Sequence, residues 1–390
     1  MSNSSEWAAG QSPSHSAAEA DQKPLGDLEA PPAMESGLVE GKAAEAKLRA
    51  TRVARSLGCD PESTRRLIEL SQRHDPADFP LPTAANLRAI LLDFCDASHE
   101  DARSVAAARP EPGSDLWWVA SLCYQDLLCD MGGTGLLRWP VPPRHLGPTG
   151  ALVTLYPILA AIPLMRDWHA ERGITEAQSK LVCADIGEKL RFNRRLFGMP
   201  SLDVAFWFST HVRGSLYQLG RLQFDVHRGM GGFRLGIHIR AEGGPFTKEA
   251  CEESVAQARE FFPARFPQWF GPDQPVKLNC TTWMLDPQLA DWLPPESNVV
   301  RFGDFFRLTA PSADAQRNAV KDIWRFVYAT VDGENPTPVA RLPRDSRMRK
   351  RLAEAMDSGV RFQVRTGLWI NESLSLDHRW MPVAYPLCPP

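Results

Sequence analysis

The residue best suited to move a proton in the second half of the chain is His238, which alternation places on the polar face of a strand beside Arg234 and Arg240. Imidazole titrates near neutral pH, so a histidine there could take a proton from an attacking nucleophile; a solvent-facing or hydrogen-bonded strand histidine is the competing reading. His227 falls in a turn and His378 in a Pro-containing C-terminal segment, so neither is as well placed. Cys280 sits mid-strand between Asn279 and Thr281. A nucleophilic thiol needs a neighbouring base or a helix N-terminus, and the sequence offers neither, so it reads as a buried structural thiol. Arg344, Arg347, Arg349, Lys350 and Arg351 crowd one short helix. They could grip phosphates or an acidic substrate, or simply form a solvated face. The eight cysteines include no C-x-x-C pair, so no metal site is expected.

The elements that would position these residues follow from periodicity. Residues 1–38 contain no Val, Ile, Phe or Tyr and read as a tail without stable structure, extending to residue 40. From 41 to 213 the pattern is helical. Thr83 is a plausible N-cap, Leu116–Leu128 reads as a buried helix, and Thr175 with Gln178 forms a capping box before a stripe of Leu181, Val182, Ile186 and Leu190 that Gly198 can close. The period then falls to two. Leu222, Phe224 and Val226 alternate with Arg221, Gln223 and Asp225, a glycine-rich turn follows, and Phe233, Leu235, Ile237 and Ile239 alternate again, predicting an antiparallel hairpin.

Beyond it the sequence predicts a helix capped by Thr247, with Cys251, Val255, Ala258 and Phe262 inward, and a strand over Val276–Leu285. Further expectations are an extended stretch over Val299–Leu308, a helix near Ala313–Lys321, a basic helix capped by Asp345, and a last strand through Val360, Phe362 and Val364. The fold class is therefore α+β: a helical N-terminal domain over 41–213, an α/β domain with a mixed sheet over 214–370, and a tail over 371–390.

The chain has 390 residues, a formal net charge of -3 and 43% hydrophobic residues. That near-balance gives no global field for nucleic acid or a membrane surface. No signal peptide is read at the N-terminus, and the apolar run Ala151–Met165, interrupted by Pro157 and Pro163, is too short to span a bilayer. A cytoplasmic protein with reduced thiols is expected. The oligomeric state is left open.

Five blocks carry a resemblance: Gly220–Phe224, Ile237–Ile239, Gly244–Thr247, Cys280–Pro287 and Ser297–Phe302. Their order and spacing resemble bacterial acyltransferase-type proteins that join a helical N-terminal domain to a GNAT-like C-terminal domain. The resemblance implies a splayed mixed sheet that holds an acyl thioester, usually acyl-CoA, between two parallel strands, with an amine as acceptor. It places the phosphate-binding loop, Gln/Arg-x-x-Gly-x-Gly/Ala in GNAT enzymes, at Arg240-Ala241-Glu242-Gly243-Gly244-Pro245. Arg240 and Gly243 match, whereas Pro245 replaces the final small residue and removes an N–H. Arg240, Gly243, Gly244, Asn279, Thr281 and Arg347 are thereby candidate contacts of the donor, and His238 the candidate base, with no metal. The alternative is a binding protein that keeps the fold without catalysis.

Overall fold

The structure, a computed structural model, describes residues 33–75, 79–141, 143–229, 231–330 and 337–370. Residues 1–32 of the tail expected over 1–40, and the tail expected over 371–390, lie outside the described residues. Contacts divide the chain into Met1–Ala43 and Ala44–Pro390; everything below, apart from the start of α1, concerns the second unit. The helical half comprises α1 (Ala33–Leu57), α2 (Pro61–Arg73), α3 (Ala84–Asp93), α4 (His99–Ala107), α5 (Asp115–Leu128), α6 (Gly147–Ala151), α7 (Leu155–Glu171), α8 (Glu176–Phe197) and α9 (Ala205–Val212). α1 begins inside the segment expected to lack structure.

Side-chain caps set several of these helix starts. Thr83 Oγ1 accepts from Asn86 N, and Thr175 Oγ1 from Gln178 N, each at 3.2 Å. The capping box at α8 is half formed: the Gln178 side chain reaches instead to the Gln218 carbonyl. Gly198 closes α8 in the left-handed region, with φ 73°. Leu181, expected on the inner stripe, is exposed, while Val182, Ile186 and Leu190 are buried.

The second half alternates β1 (Leu216–Leu219), β2 (Leu222–Gly229), β3 (Gly232–His238), α10 (Lys248–Arg265), β4 (Leu278–Thr282), α11 (Leu289–Trp292), α12 (Asn298–Gly303), β5 (Phe306–Leu308), α13 (Ala315–Asp322), α14 (Arg347–Asp357) and β6 (Arg365–Trp369). The strands form one sheet in the order β1-β2-β3-β4-β6-β5. All neighbours are antiparallel except β3 and β4. The hairpin register pairs Phe224 with Ile237 and Val226 with Leu235, so the apolar residues of both strands share one face, under α10.

Three apolar cores result. The first fills the helical half; the second lies between the sheet and α10; the third gathers α11–α14 around Trp283, Trp324 and Leu352. α8 contributes Ile186 and Leu190 to the first and Val182 to the second, and Trp207 of α9 packs against both. These two helices therefore join the halves.

Several expected strands change. Val299–Leu308 is not one extended stretch: Ser297 Oγ accepts from Val300 N, and burial of Val299 and Phe302 three apart turns Asn298–Gly303 into helix, leaving β5 as the strand. Val360, Phe362 and Val364 precede the last strand rather than form it; the amides of Gln363 and Val364 donate to Asp286 Oδ2 and the Ala315 carbonyl. The basic helix is capped by Ser346, not Asp345. β4 stops at Thr282, whose side chain caps a 3-10 turn over Trp283–Leu285, and α13 runs on into a π-turn over Ile323–Val327. β1 had no counterpart among the expected elements.

Candidate active site

The parallel pair is the discontinuity in the sheet. β3 and β4 are paired only through Leu235 with Leu278 and Gly236 with Asn279. Past those residues β3 runs on to His238 and β4 to Thr282 with no ladder pair between them, so the two strands part. His238 ends the strand on one side of this opening, and Thr281 stands on the other.

Register explains how His238 is held. Gln223 lies opposite His238, and Asp225 opposite Gly236. From there Asp225 Oδ1 lies 2.6 Å from His238 Nε2, and Asp225 Oδ2 lies 3.4 Å from His227 Nδ1. The Asp225 side chain is only 4% exposed, that of His238 31%. Gly236 makes this possible, because a β-carbon there would collide with Asp225 Oδ1. Burial raises the Asp225 pKa, but the imidazoles of His238 and His227 outweigh it and hold the carboxyl well below the usual range. The Trp207 ring packs on His238, with centroids 4.3 Å apart.

Around this dyad lies a buried polar layer that alternation had read as an outward face. Gln223 and Asp225 are almost fully buried beneath α8 and α9, and Arg221 is buried against α10 and the loop before it. Asp185 of α8 accepts from Gln223 Nε2 at 3.3 Å and pairs with His211 Nε2 at 3.0 Å. Burial raises the Asp185 pKa too, yet His211, with the nearby charges of Lys189 and Arg240, outweighs it and brings it to about 2.

The remaining candidates separate. Arg240 is engaged through Nε, which donates to Glu188 Oε2 at 3.0 Å, and Glu188 Oε1 takes the Ala241 amide at 2.9 Å. Arg240 thus ties the loop after β3 to α8. Gly243 is pressed by the protein itself, since a β-carbon there would lie 2.6 Å from Arg221 Nη1, while Gly244 turns the chain at φ 86° in open space. Asn279 is buried, with Oδ1 lacking any partner. Thr281 is exposed and shares a hydrogen bond of 2.9 Å with Thr366.

Arg347 is not brought to the opening; it is exposed on α14, whose buried face belongs to the third core. Its neighbours Arg344, Arg349 and Arg351 are paired with Asp357, Asp345 and Glu354, the solvated-face outcome. Burial pushes the Cys280 thiol far up, which removes it as a nucleophile. No group of three or more His, Cys, Asp or Glu residues that could hold a metal occurs among the described residues.

Sequence reasoning did not single out Asp225, Gly236, Arg221, Trp207, Asp185 or Glu188. The Asp225–His238 pair was within reach once the hairpin register was drawn, because the two residues face each other diagonally.

A mixed sheet parted between two parallel strands, under a helical half, is the arrangement of a GNAT-like fold. Comparison agrees. The GNAT-like C-terminal domain matches residues 216–369, and the N-acyltransferase N-terminal domain matches residues 85–214. The structure is similar to that of an acyltransferase mutant in complex with octanoyl-CoA (30% identity, TM-score 0.74, 82% of this chain and 99% of the other). It is also similar to an acyltransferase in complex with decanoyl-CoA and teicoplanin (30%, 0.74, 82% and 98%) and to one with decanoyl-CoA (28%, 0.73, 82% and 98%). No curated protein matches. The chain belongs to this acyltransferase family, with an N-acyltransferase N-terminal domain and a GNAT-like C-terminal domain. No helix among the described residues is long and apolar enough to cross a membrane.

Proposed function

We propose that the protein is an N-acyltransferase that moves an acyl group from acyl-CoA to an amine, with the helical and sheet halves acting as two domains on either side of the site. The observation that carries this reading is the His238–Asp225 dyad at the opening between β3 and β4, in a chain whose structural neighbours hold octanoyl-CoA or decanoyl-CoA. The acyl-pantetheine arm lies in the opening, where the backbone of the parted strands offers unladdered donors and acceptors, beside Asn279 and Thr281.

His238 gives its Nε2–H to Asp225, which leaves the Nδ1 lone pair for the substrate. The amine nitrogen attacks the thioester carbonyl carbon, and backbone N–H groups at the splay take the developing oxyanion. Nδ1 removes the amine proton. The carbon–sulfur bond then breaks, and the proton passes to the departing thiolate, giving an amide and free CoA. Trp207 covers the imidazole and limits its access to water. The seven described cysteines are all free, which suits a cytoplasmic setting.

Calorimetry with octanoyl-CoA and decanoyl-CoA, followed by mass spectrometry of products formed with amine-bearing acceptors including a glycopeptide, tests the reading. Donor binding and a new amide are expected; absence of any CoA binding would overturn it.

A further inference from the structure

A further histidine–carboxylate pair lies in the helical half, and this one carries a thiol. His74 follows the last turn of α2, and its Nε2 lies 2.9 Å from Asp126 Oδ1 on α5. Three residues on, Cys129 caps the C-terminal end of α5, with Sγ 4.0 Å from His74 Nδ1. A carboxylate only accepts, so Nε2 carries the hydrogen and Nδ1 presents a lone pair to the sulfur. The two ring nitrogens serve different partners, so the three groups form a relay and not a cage for a metal.

The base and its carboxylate are held while the thiol stays open. The Asp126 side chain is 4% exposed; it also takes Trp139 Nε1 at 3.0 Å and faces Arg73 Nη1 at 3.3 Å. The His74 side chain is 11% exposed. Cys129 is the one exposed thiol among the seven described cysteines. Burial pushes Cys59 and Cys251 up to about 11 and raises Cys95, Cys123 and Cys280 as well, which leaves those five inert. Cys129 sits where the helix dipole does not favour an anion, so its reaction needs a proton acceptor at hand, and His74 is placed to be one.

We propose that Cys129, His74 and Asp126 form a second reactive centre, at which the thiol is acylated by an acyl thioester. The Cys129 sulfur attacks the thioester carbonyl carbon while His74 Nδ1 takes its proton. The carbon–sulfur bond of the donor breaks, and the proton passes to the leaving thiolate. One thioester replaces another, so an excess of the free thiol reverses the step. Asp126 acts through His74 as a positioning residue. The choice of thioester rests on acyl-CoA as the donor of this protein, and the exposed Leu128 next to the thiol offers apolar surface to an acyl chain.

The test incubates the full chain, without an amine acceptor, with octanoyl-CoA or with octanoyl-N-acetylcysteamine, and maps acylated peptides by mass spectrometry. Octanoyl-Cys129 is expected from both, removed by hydroxylamine and absent in Cys129→Ser; mapping separates it from Cys388, which lies outside the described residues. His74→Gln keeps a donor for Asp126 but supplies no base, and it should slow octanoylation about a hundredfold or more. His74→Asn replaces it if the Gln variant does not fold. Nitrogen NMR should find His74 as the Nε2–H tautomer, and Asp126→Asn should raise the Nδ1–H share and slow the reaction. No octanoyl group on Cys129 from octanoyl-N-acetylcysteamine, an undiminished rate in the His74 variant, or an Nδ1–H tautomer in the wild type would overturn the proposal. Failure of the donor reading looks different: the wild type would bind no octanoyl-CoA in calorimetry, while octanoyl-N-acetylcysteamine would still acylate Cys129.

Discussion

Asp225→Asn isolates the charge behind His238 from its shape. The isosteric amide fits the space that Gly236 leaves open, but the carboxylate 2.6 Å from His238 Nε2 is gone. A hydrogen bond to a charged group contributes about 1.5–3 kcal/mol. If that interaction strengthens as the imidazole takes the amine proton, its loss lowers kcat about tenfold to a hundredfold. Asp225 does not face the opening directly, so KM for the acyl donor should change little. The assay is the initial rate of amide formation from octanoyl-CoA at saturating acceptor, with both constants measured. A second readout is acid stability. Because the folded carboxyl lies below its ordinary value, it stabilises the wild type above about pH 3.9 and that contribution is lost as the pH falls from there. The Asn variant should lack this part of the acid transition. An unchanged kcat, or a rise in KM with kcat intact, would refute the assignment of Asp225 as the residue that positions and polarises the base.

Other outcomes follow from the same geometry. His238→Gln should lower the rate by roughly 10²–10⁴ and flatten its pH dependence, with unfolding free energy changed by no more than about 1 kcal/mol, since the side chain is partly exposed. Gly236→Ala drives a methyl group into the dyad; kcat should drop while denaturant unfolding shows a loss of about 1–3 kcal/mol. His169 tests burial far from the opening: its Nδ1 meets Ser179 Oγ at 2.7 Å, its Nε2 has no partner, and burial lowers its pKa to about 4. Unfolded histidine binds a proton near pH 6.5, so up to about 3 kcal/mol of stability should be lost as the pH falls from 6.5 toward 4. His169→Phe should flatten that slope in urea titrations; an unaltered slope would show that His169 is not its source.

Much of the sheet could be read from alternation, because Leu222, Phe224, Val226, Leu235 and Ile237 fill one apolar face whatever covers the other. The other face could not. Arg221, Gln223 and Asp225 have the spacing of a solvated face, and only the placement of α8, α9 and, for Arg221, α10 with the loop before it buries them. Alternation reports polarity, not exposure. Val299–Leu308 failed for a related reason: the β-branched pair Val299-Val300 favours strand, but the Ser297 cap and the packing of Phe302 decide for helix. His238 was legible as a residue type on a polar strand face. Its partner lies thirteen residues earlier, and recognising it needed the hairpin register and the missing side chain at Gly236.

The buried layer over this face also bears on why the helical half is there. Burying Asp185, Glu188, Arg240, His211 and Gln223 together is seldom a gain in stability over an apolar contact of the same size. The layer instead fixes positions. Glu188 holds the segment that leaves β3 through both Arg240 and the Ala241 amide, and Asp185 ties α9 to β2 through His211 and Gln223. α9 in turn sets Trp207 against His238. If β3 and α9 were joined only by apolar packing, the ring and the histidine could slide past one another at little cost. With carboxylates of α8 bonded to both, the edge of the opening, the candidate base and its aromatic cover are placed by one helix. The helical half is therefore part of the candidate site, and an isolated sheet half would keep the His238–Asp225 pair without Trp207 and the α8 carboxylates beside it.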